Sequence, residues 1–270
     1  MIERWSEGIA DETMPEEILL DLEEIVRRHP WWQARARLTL RLLDDLGLKP
    51  PARILDAGCG WGITLDALEK RGFQATGLDI SRRALERLDR PGRILVEADL
   101  TKKIEHSVPL HDAVLALDVI EHLDDDRAAV RRLGALVKLG GIVIVSVPAL
   151  PQMFSEFDAI QGHRRRYLPE TLRTAMAGTG LELERVFWWG RWLVPVLRRQ
   201  RARSRARAVE SASQVYRRYL QLPRWPLPWV ARLAFSLEEG PAMRGWLGSG
   251  TSLFAVARRA LEGPPADRLS

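Results

Sequence analysis

Three carboxylates stand at the ends of three successive apolar runs: Asp79 after 73–78, Asp99 after 93–98 and Asp118 after 112–117. A fourth, Asp56, follows the run 52–55 and opens the loop Ala57-Gly58-Cys59-Gly60-Trp61-Gly62. If each run is a strand of one sheet, all four acids arrive at the same edge. There they can accept hydrogen bonds from hydroxyls and amines, and together they favour a cation and repel a pyrophosphate. Glycines on alternate positions let the backbone turn tightly and approach a ligand closely, because no Cβ intervenes. Their spacing, Gly-x-Gly-x-Gly, differs from the Gly-x-Gly-x-x-Gly of dinucleotide sites. Two further stretches carry imidazole. One is Asp118-Val119-Ile120-Glu121-His122; the other is 148–167, where Asp158 and His163 precede Arg165, Arg166 and Tyr167. An imidazole titrates near neutrality and can take a proton from an acceptor, while a guanidinium can hold an anionic group.

To bring these residues together, the chain must alternate strands and helices. Helix-compatible sequence at 63–70 and 124–137 separates the strand runs, and the continuous apolar stretch 142–147 suits a strand buried on both faces. Such alternation predicts a parallel sheet with right-handed crossovers. Ahead of it, 16–28 and 31–46 carry apolar residues at helical spacing, and these two helices should cap the ligand edge. Beyond it, Pro169 suits the first position of a helix, 181–188 reads as a sixth strand and 251–258 as the last. Roughly sixty residues separate those two strands, far more than a hairpin connection needs. They include an arginine-rich helix at 198–220, a Pro- and Trp-punctuated stretch and an apolar helix at 230–238. The organisation expected is an N-terminal helical lid (1–51), a core (52–190), a helical insertion (191–250), the final core strand (251–262) and a disordered tail (263–270).

At four places, LDAGCGWG, GLDIS, ADL and DVIEHL, the chain resembles the class I S-adenosylmethionine-dependent methyltransferases, in particular small-molecule enzymes related to the ubiquinone-pathway O-methyltransferases. The resemblance covers roughly 52–180 and implies a doubly wound, Rossmann-like α/β fold with a seven-stranded sheet and an antiparallel last strand. It implies S-adenosylmethionine as cofactor, with Asp79 accepting the ribose hydroxyls and Ile80 beside it. Asp99 and Leu100 would meet the adenine. Gly58, Cys59, Gly60 and Gly62 would lie along the amino-acid moiety, ordered by Asp56. Leu117 and Asp118 would complete the pocket, with Trp31 and Arg35 of the lid over it. His163, with His122, is then the candidate proton acceptor, and Arg165, Arg166 and Tyr167 are the candidate acceptor contacts; the alternative for 148–167 is a structural loop tied by Asp158–Arg pairs. No metal is expected. The alternative is a divalent site at Asp118, Glu121 and His122 with a fourth ligand such as His163, although such relatives usually have Glu where this chain has Asp118.

The implied reaction is methyl transfer to oxygen, less readily to nitrogen or carbon, of a small-molecule or lipid-like acceptor. Cys59 is the only cysteine, so no intrachain disulfide forms, which fits a reducing cytoplasm. The first residues show no secretory signal and no stretch has the length of a spanning helix. The net charge of +5 conceals a basic run at 198–207, and six of the ten tryptophans follow residue 185. Indole and guanidinium together suit an anionic membrane surface, so that the chain is cytoplasmic with a peripheral contact; they also suit a homodimer interface. A nucleic-acid methyltransferase using the arginine run is a rival, without a visible base-reading module. A second rival is a catalytically inactive scaffold that keeps the cofactor.

Overall fold

The computed structural model describes residues 2–6, 8, 9, 18, 22–104, 108–203, 214, 215, 217, 220 and 227–261. The expected tail and most of the 204–226 stretch fall outside them. Among the described residues, eight strands form one sheet. They are β1 (Glu3–Arg4), β2 (Arg53–Ala57), β3 (Gln74–Asp79), β4 (Ile94–Glu97), β5 (His111–Leu117), β6 (Val137–Pro148), β7 (Leu181–Trp189) and β8 (Ser252–Arg259). Their order is β1-β4-β3-β2-β5-β6-β8-β7. All pairs are parallel except those of β8, which runs antiparallel to β6 and β7. The seven expected strands are present, and the two-residue β1 extends the edge beyond β4.

The chain runs outward through β3 and β4, then returns to lay β5 against the other side of β2. The carboxyl ends of β2 and β5 are therefore the switch point where an open α/β sheet leaves a crevice. Period-two alternation divides the core. Leu55, Ala57, Val114, Ala116, Val143 and Val145 point to one face, which α5 (Asp126–Ala135) and α7 (Pro169–Met176) cover. Ile54, Leu115 and Ile144 point to the other, covered by α2 (Pro30–Asp45), α3 (Ile63–Arg71), α4 (Arg82–Leu88) and α9 (Leu227–Met243).

Two packing features complete the organisation. Helix α2 buries Leu38, Leu42 and Leu43 in the core, so only its first turn reaches over the ligand edge, together with α1 (Glu23–Arg28). There Val26 and Trp32 pack with Trp61 of the glycine loop and with Phe157 and Ile160 of α6 (Glu156–Ile160). The insertion likewise joins the core. Its α9 buries Phe235 and Ala242, and its Glu239 pairs with Arg37 (2.5 Å) and Arg41 (2.8 Å) of α2. Before it, α8 (Leu193–Arg203) leaves β7, with Glu238 of α9 accepting from the Arg191 amide (2.7 Å).

Candidate functional site

The loop after β2 is shaped by backbone that only glycine adopts without strain: φ is 75° at Gly58, 46° at Gly60 and 70° at Gly62. The Gly58 and Cys59 amides donate to the Leu78 carbonyl (2.7 and 3.0 Å), which ties the loop across to β3. Asp79 then holds the loop from the side. Its carboxylate accepts from the Gly60 amide (2.8 Å) and the Ser81 amide (3.0 Å). Burial pushes Asp79 up from the ordinary carboxylate range, against the pull of these backbone donors. Asp56 is buried deeper, and burial, reinforced by the charge of Asp79, raises it to about 7 while Arg35 opposes the rise. Cys59 is buried in the core, its thiol pushed up by burial. Only its backbone is on offer to a ligand.

Asp99 closes the β4 end. It receives the Thr101 amide (2.7 Å), and its own amide donates to Ser6 Oγ (3.0 Å). Ser6 belongs to a segment that no motif or periodicity places there. Leu100 is buried, with its carbonyl taken by Arg132 (3.0 Å), while Ile80 is half-buried beside Asp79.

The β5 end is drawn together by Arg35 from the first turns of α2. Its guanidinium bonds the Leu117 carbonyl (3.3 Å), pairs with Asp118 and lies 4.9 Å from the centre of the Trp31 ring. Asp118 has a left-handed backbone, φ 58°, and takes a further bond from Ser146 Oγ (3.3 Å). Ser146 was missed by sequence reasoning, although it is the one hydroxyl inside the apolar run 142–147. Arg35 Nε is buried without a partner, which leaves a charged donor for a ligand carboxylate.

Next to this pair lies an acid–imidazole cluster. Glu121 and His122 sit in a 3₁₀ turn (Ile120–His122) and His163 follows α6. Glu121 is fully buried, neither of its oxygens has a hydrogen-bond partner, and burial followed by the charge of Asp118 holds it well above its ordinary value. His163 Nδ1 donates to Asp158 (3.3 Å), and its Nε2 lies 3.9 Å from Glu121. The His122 ring stands perpendicular to it at 4.6 Å, and burial, with His163 next, lowers His122 to about 3. One ligand atom from each of Glu121, His122 and His163 lies within 4.8 Å of the others, a set able to take a divalent cation. Three of the four residues of the metal alternative therefore lie together, while the fourth, Asp118, pairs with Arg35.

The three expected acceptor contacts are otherwise engaged. Arg166 pairs with buried Asp158 (2.6 Å) and bonds the Ala149 carbonyl (2.9 Å). Arg165 binds Asp126 (3.2 Å) and the Asp124 carbonyl (3.0 Å). Tyr167 is buried with its hydroxyl donating to Asp126 (2.7 Å). These bonds lace 148–167 to the sheet, and Asp158, paired with Arg166, fixes His163.

Known proteins resemble the chain in sequence and in fold. A family model described as a methyltransferase domain matches residues 31–186. A ubiquinone biosynthesis O-methyltransferase of Alkalilimnicola ehrlichii is 36% identical over 101 residues, covering 35% of this chain and 40% of that protein. The chain spans about half the length of the curated relatives it matches. Two solved structures share the fold. One is a SAM-dependent methyltransferase from Archaeoglobus fulgidus (TM-score 0.51, 17% identity, 83% of this chain and 94% of that one). The other is phosphoethanolamine N-methyltransferase 2 of Haemonchus contortus with S-adenosyl-L-methionine (TM-score 0.55, 18% identity, 93% of this chain and 60% of that one).

Proposed function

The chain belongs to the class I S-adenosylmethionine-dependent methyltransferases, and we propose that it transfers a methyl group to an oxygen of a small or lipid-like acceptor. The relatives named as ubiquinone O-methyltransferases support oxygen as the target. The observation that carries the reading is the buried Glu121–His122–His163 cluster beside Asp118, at the switch point and next to the cofactor end of the sheet. The residues fit the cofactor: Asp79 for the ribose diol, Asp99, Leu100 and Ile80 for the adenine, and the 58–62 backbone for the amino-acid end. The orphaned Arg35 Nε would meet its carboxylate, under Trp31. When bound, S-adenosylmethionine supplies an electrophilic methyl on a sulfonium cation. Asp56, Asp118 and Glu121 lie at that edge, and a cation bound there would draw their carboxyls toward the ionised form.

His163 is set up as the proton acceptor. Asp158 takes the Nδ1 hydrogen and so leaves Nε2 with its lone pair toward the cluster. The lid turn with Trp31, Trp32 and Trp61 excludes water from the edge. A second reading is favoured by the two unpartnered Glu121 oxygens and the unpartnered His122 Nδ1. In it Glu121, His122 and His163 hold a divalent cation that orients and acidifies the acceptor hydroxyl.

Labelled methyl donor offered to an acceptor panel, before and after chelation, tests both. Turnover that survives EDTA and falls roughly 10²-fold in His163→Gln identifies His163 as the base. Turnover lost in EDTA and restored by Mg²⁺, Mn²⁺ or Zn²⁺, with calorimetric metal binding that Glu121→Gln abolishes, identifies the metal reading. Tight cofactor binding without methyl transfer to any acceptor sinks the enzyme assignment.

A further inference from the structure

The outward surface of the described part of 191–250 joins exposed apolar side chains to unbalanced positive charge. The segment contains twelve arginines, no lysine and three acids, Glu210, Glu238 and Glu239. Glu238 and Glu239 are both buried and serve internal contacts, the first with the Arg191 amide and the second with Arg37 and Arg41. Among the described residues of the segment, the exposed charges are therefore all arginines, including Arg198, Arg199, Arg232 and Arg244.

Helix α9 is apolar on both sides. Phe235 and Ala242 face the core, while Trp229, Val230, Leu233 and Leu237 stand on the opposite side in solvent, Leu237 at 69% exposure. Trp246, 70% exposed, follows the helix with the Arg244 guanidinium 5.0 Å from its ring centre. A cleft of about 630 Å³ between α8 and α9, lined by Trp192, Pro195, Leu237 and Pro241, opens beside them. A helix that is hydrophobic all round is covered all round in its working state.

The charge pattern identifies the cover. A second copy meeting this face about a two-fold axis would set arginines against arginines. A polyanion would answer the charge and leave Trp229, Leu237 and Trp246 in water. An anionic bilayer answers both, since indoles settle at the headgroup level and arginines reach phosphates from an apolar stem. We infer that α8 and α9 seat the protein peripherally on an anionic lipid surface. No helix among the described residues is long and apolar enough to cross a membrane, so the contact lies in the interface plane. It is also coupled to the site, because Glu239 fastens α9 to α2, whose first turns carry Trp31 and Arg35. The docking itself does not depend on the methyl-transfer reading.

Cosedimentation of the full chain with mixed phosphatidylglycerol–phosphatidylcholine vesicles tests this, with circular dichroism confirming that each variant folds. At low salt the protein pellets with the anionic vesicles, stays in solution with pure phosphatidylcholine, and is released as salt rises. Leu237→Glu reduces partitioning roughly tenfold, and each of Arg232→Gln and Arg244→Gln reduces it about fivefold. Vesicle-bound protein with labelled methyl donor withheld behaves identically, which separates docking from catalysis. A protein wholly in the supernatant at low salt overturns the inference. So does a concentration-dependent dimer that Leu237→Glu dissociates, and so does binding that salt abolishes but Leu237→Glu and Trp246→Ala leave unchanged, which would indicate a polyanion such as RNA.

Discussion

Asp79 illustrates how a single side chain can serve loop and ligand together. Two backbone amides already bond its oxygens, one of them from the glycine loop, and it is still raised above an ordinary carboxylate because it is buried. Hydroxyl donors from a bound ribose would complete its coordination. Asp79→Ala is therefore expected to weaken S-adenosylmethionine binding by about 2 kcal/mol, roughly thirtyfold, a charged acceptor lost from two donors. Calorimetry on the folded variant checks this, and unchanged affinity would remove Asp79 from the site. Sequence reasoning found this residue because an acid at a strand end needs only local pattern to be seen. Arg166 is harder to read for the complementary reason. The sequence left it between an acceptor contact and a structural pair with Asp158, and the pair forms only where Ser155 helps to hold the buried carboxylate.

At the scale of elements, the β2–α3 loop and the turn after β5 are built against each other. Gly58 combines a left-handed backbone with a Cα surface that touches Val119, and a methyl there would overlap Val119 Cγ2. Two independent costs follow, conformational and steric. Gly58→Ala should destabilise the fold by more than the roughly 1–2 kcal/mol of the backbone alone. Adding Val119→Ala removes the overlap, so the double variant should recover part of the loss while the backbone share remains. Denaturant unfolding of the three variants measures both, and a double variant no more stable than Gly58→Ala would refute the steric share. The lid follows similar logic. Helix α2 was legible from its apolar spacing, but its two roles, core layer along most of its length and arginine clamp at its start, emerge only from packing on α9 and β5.

For the whole molecule, buried imidazoles shape the response to acid. Burial lowers His29 and His111 to about 4 and His122 to about 3, below their unfolded value near 6.5. The sign follows directly: stability from neutral burial is present above pH 6.5 and is lost as pH falls through about 4. Asp56 runs the other way. Its raised value near 7 favours the protonated fold, so that contribution is complete below about pH 3.8 and lost as pH rises through 7. His111 lies away from the candidate site, beside Trp5 and Thr76, and isolates the acid limb. His111→Asn should flatten stability between pH 6.5 and 4 by up to about 1.4 kcal/mol per pH unit, whatever its effect at neutrality. Urea unfolding across that range gives the slope, and an unaltered slope would assign the acid limb to the other histidines.

The sequence by itself determined the strand-and-helix alternation, the parallel sheet, the edge where Asp56, Asp79, Asp99 and Asp118 arrive, and the loop that only glycines can make. Each of these rests on local physics: side-chain period, φ preference, and the direction in which a strand delivers its last residue. Only the tertiary structure decided that Ser6 reaches Asp99, that Arg35 pairs with Asp118, that Glu121, His122 and His163 gather, and that Tyr167 and Arg166 bond Asp126 and Asp158. It also decided that both acids of α9 turn inward and leave its surface basic and apolar. These contacts join residues up to two hundred positions apart, and the energy of a charge depends on its burial and its nearest opposite charge, neither of which exists until the chain is packed.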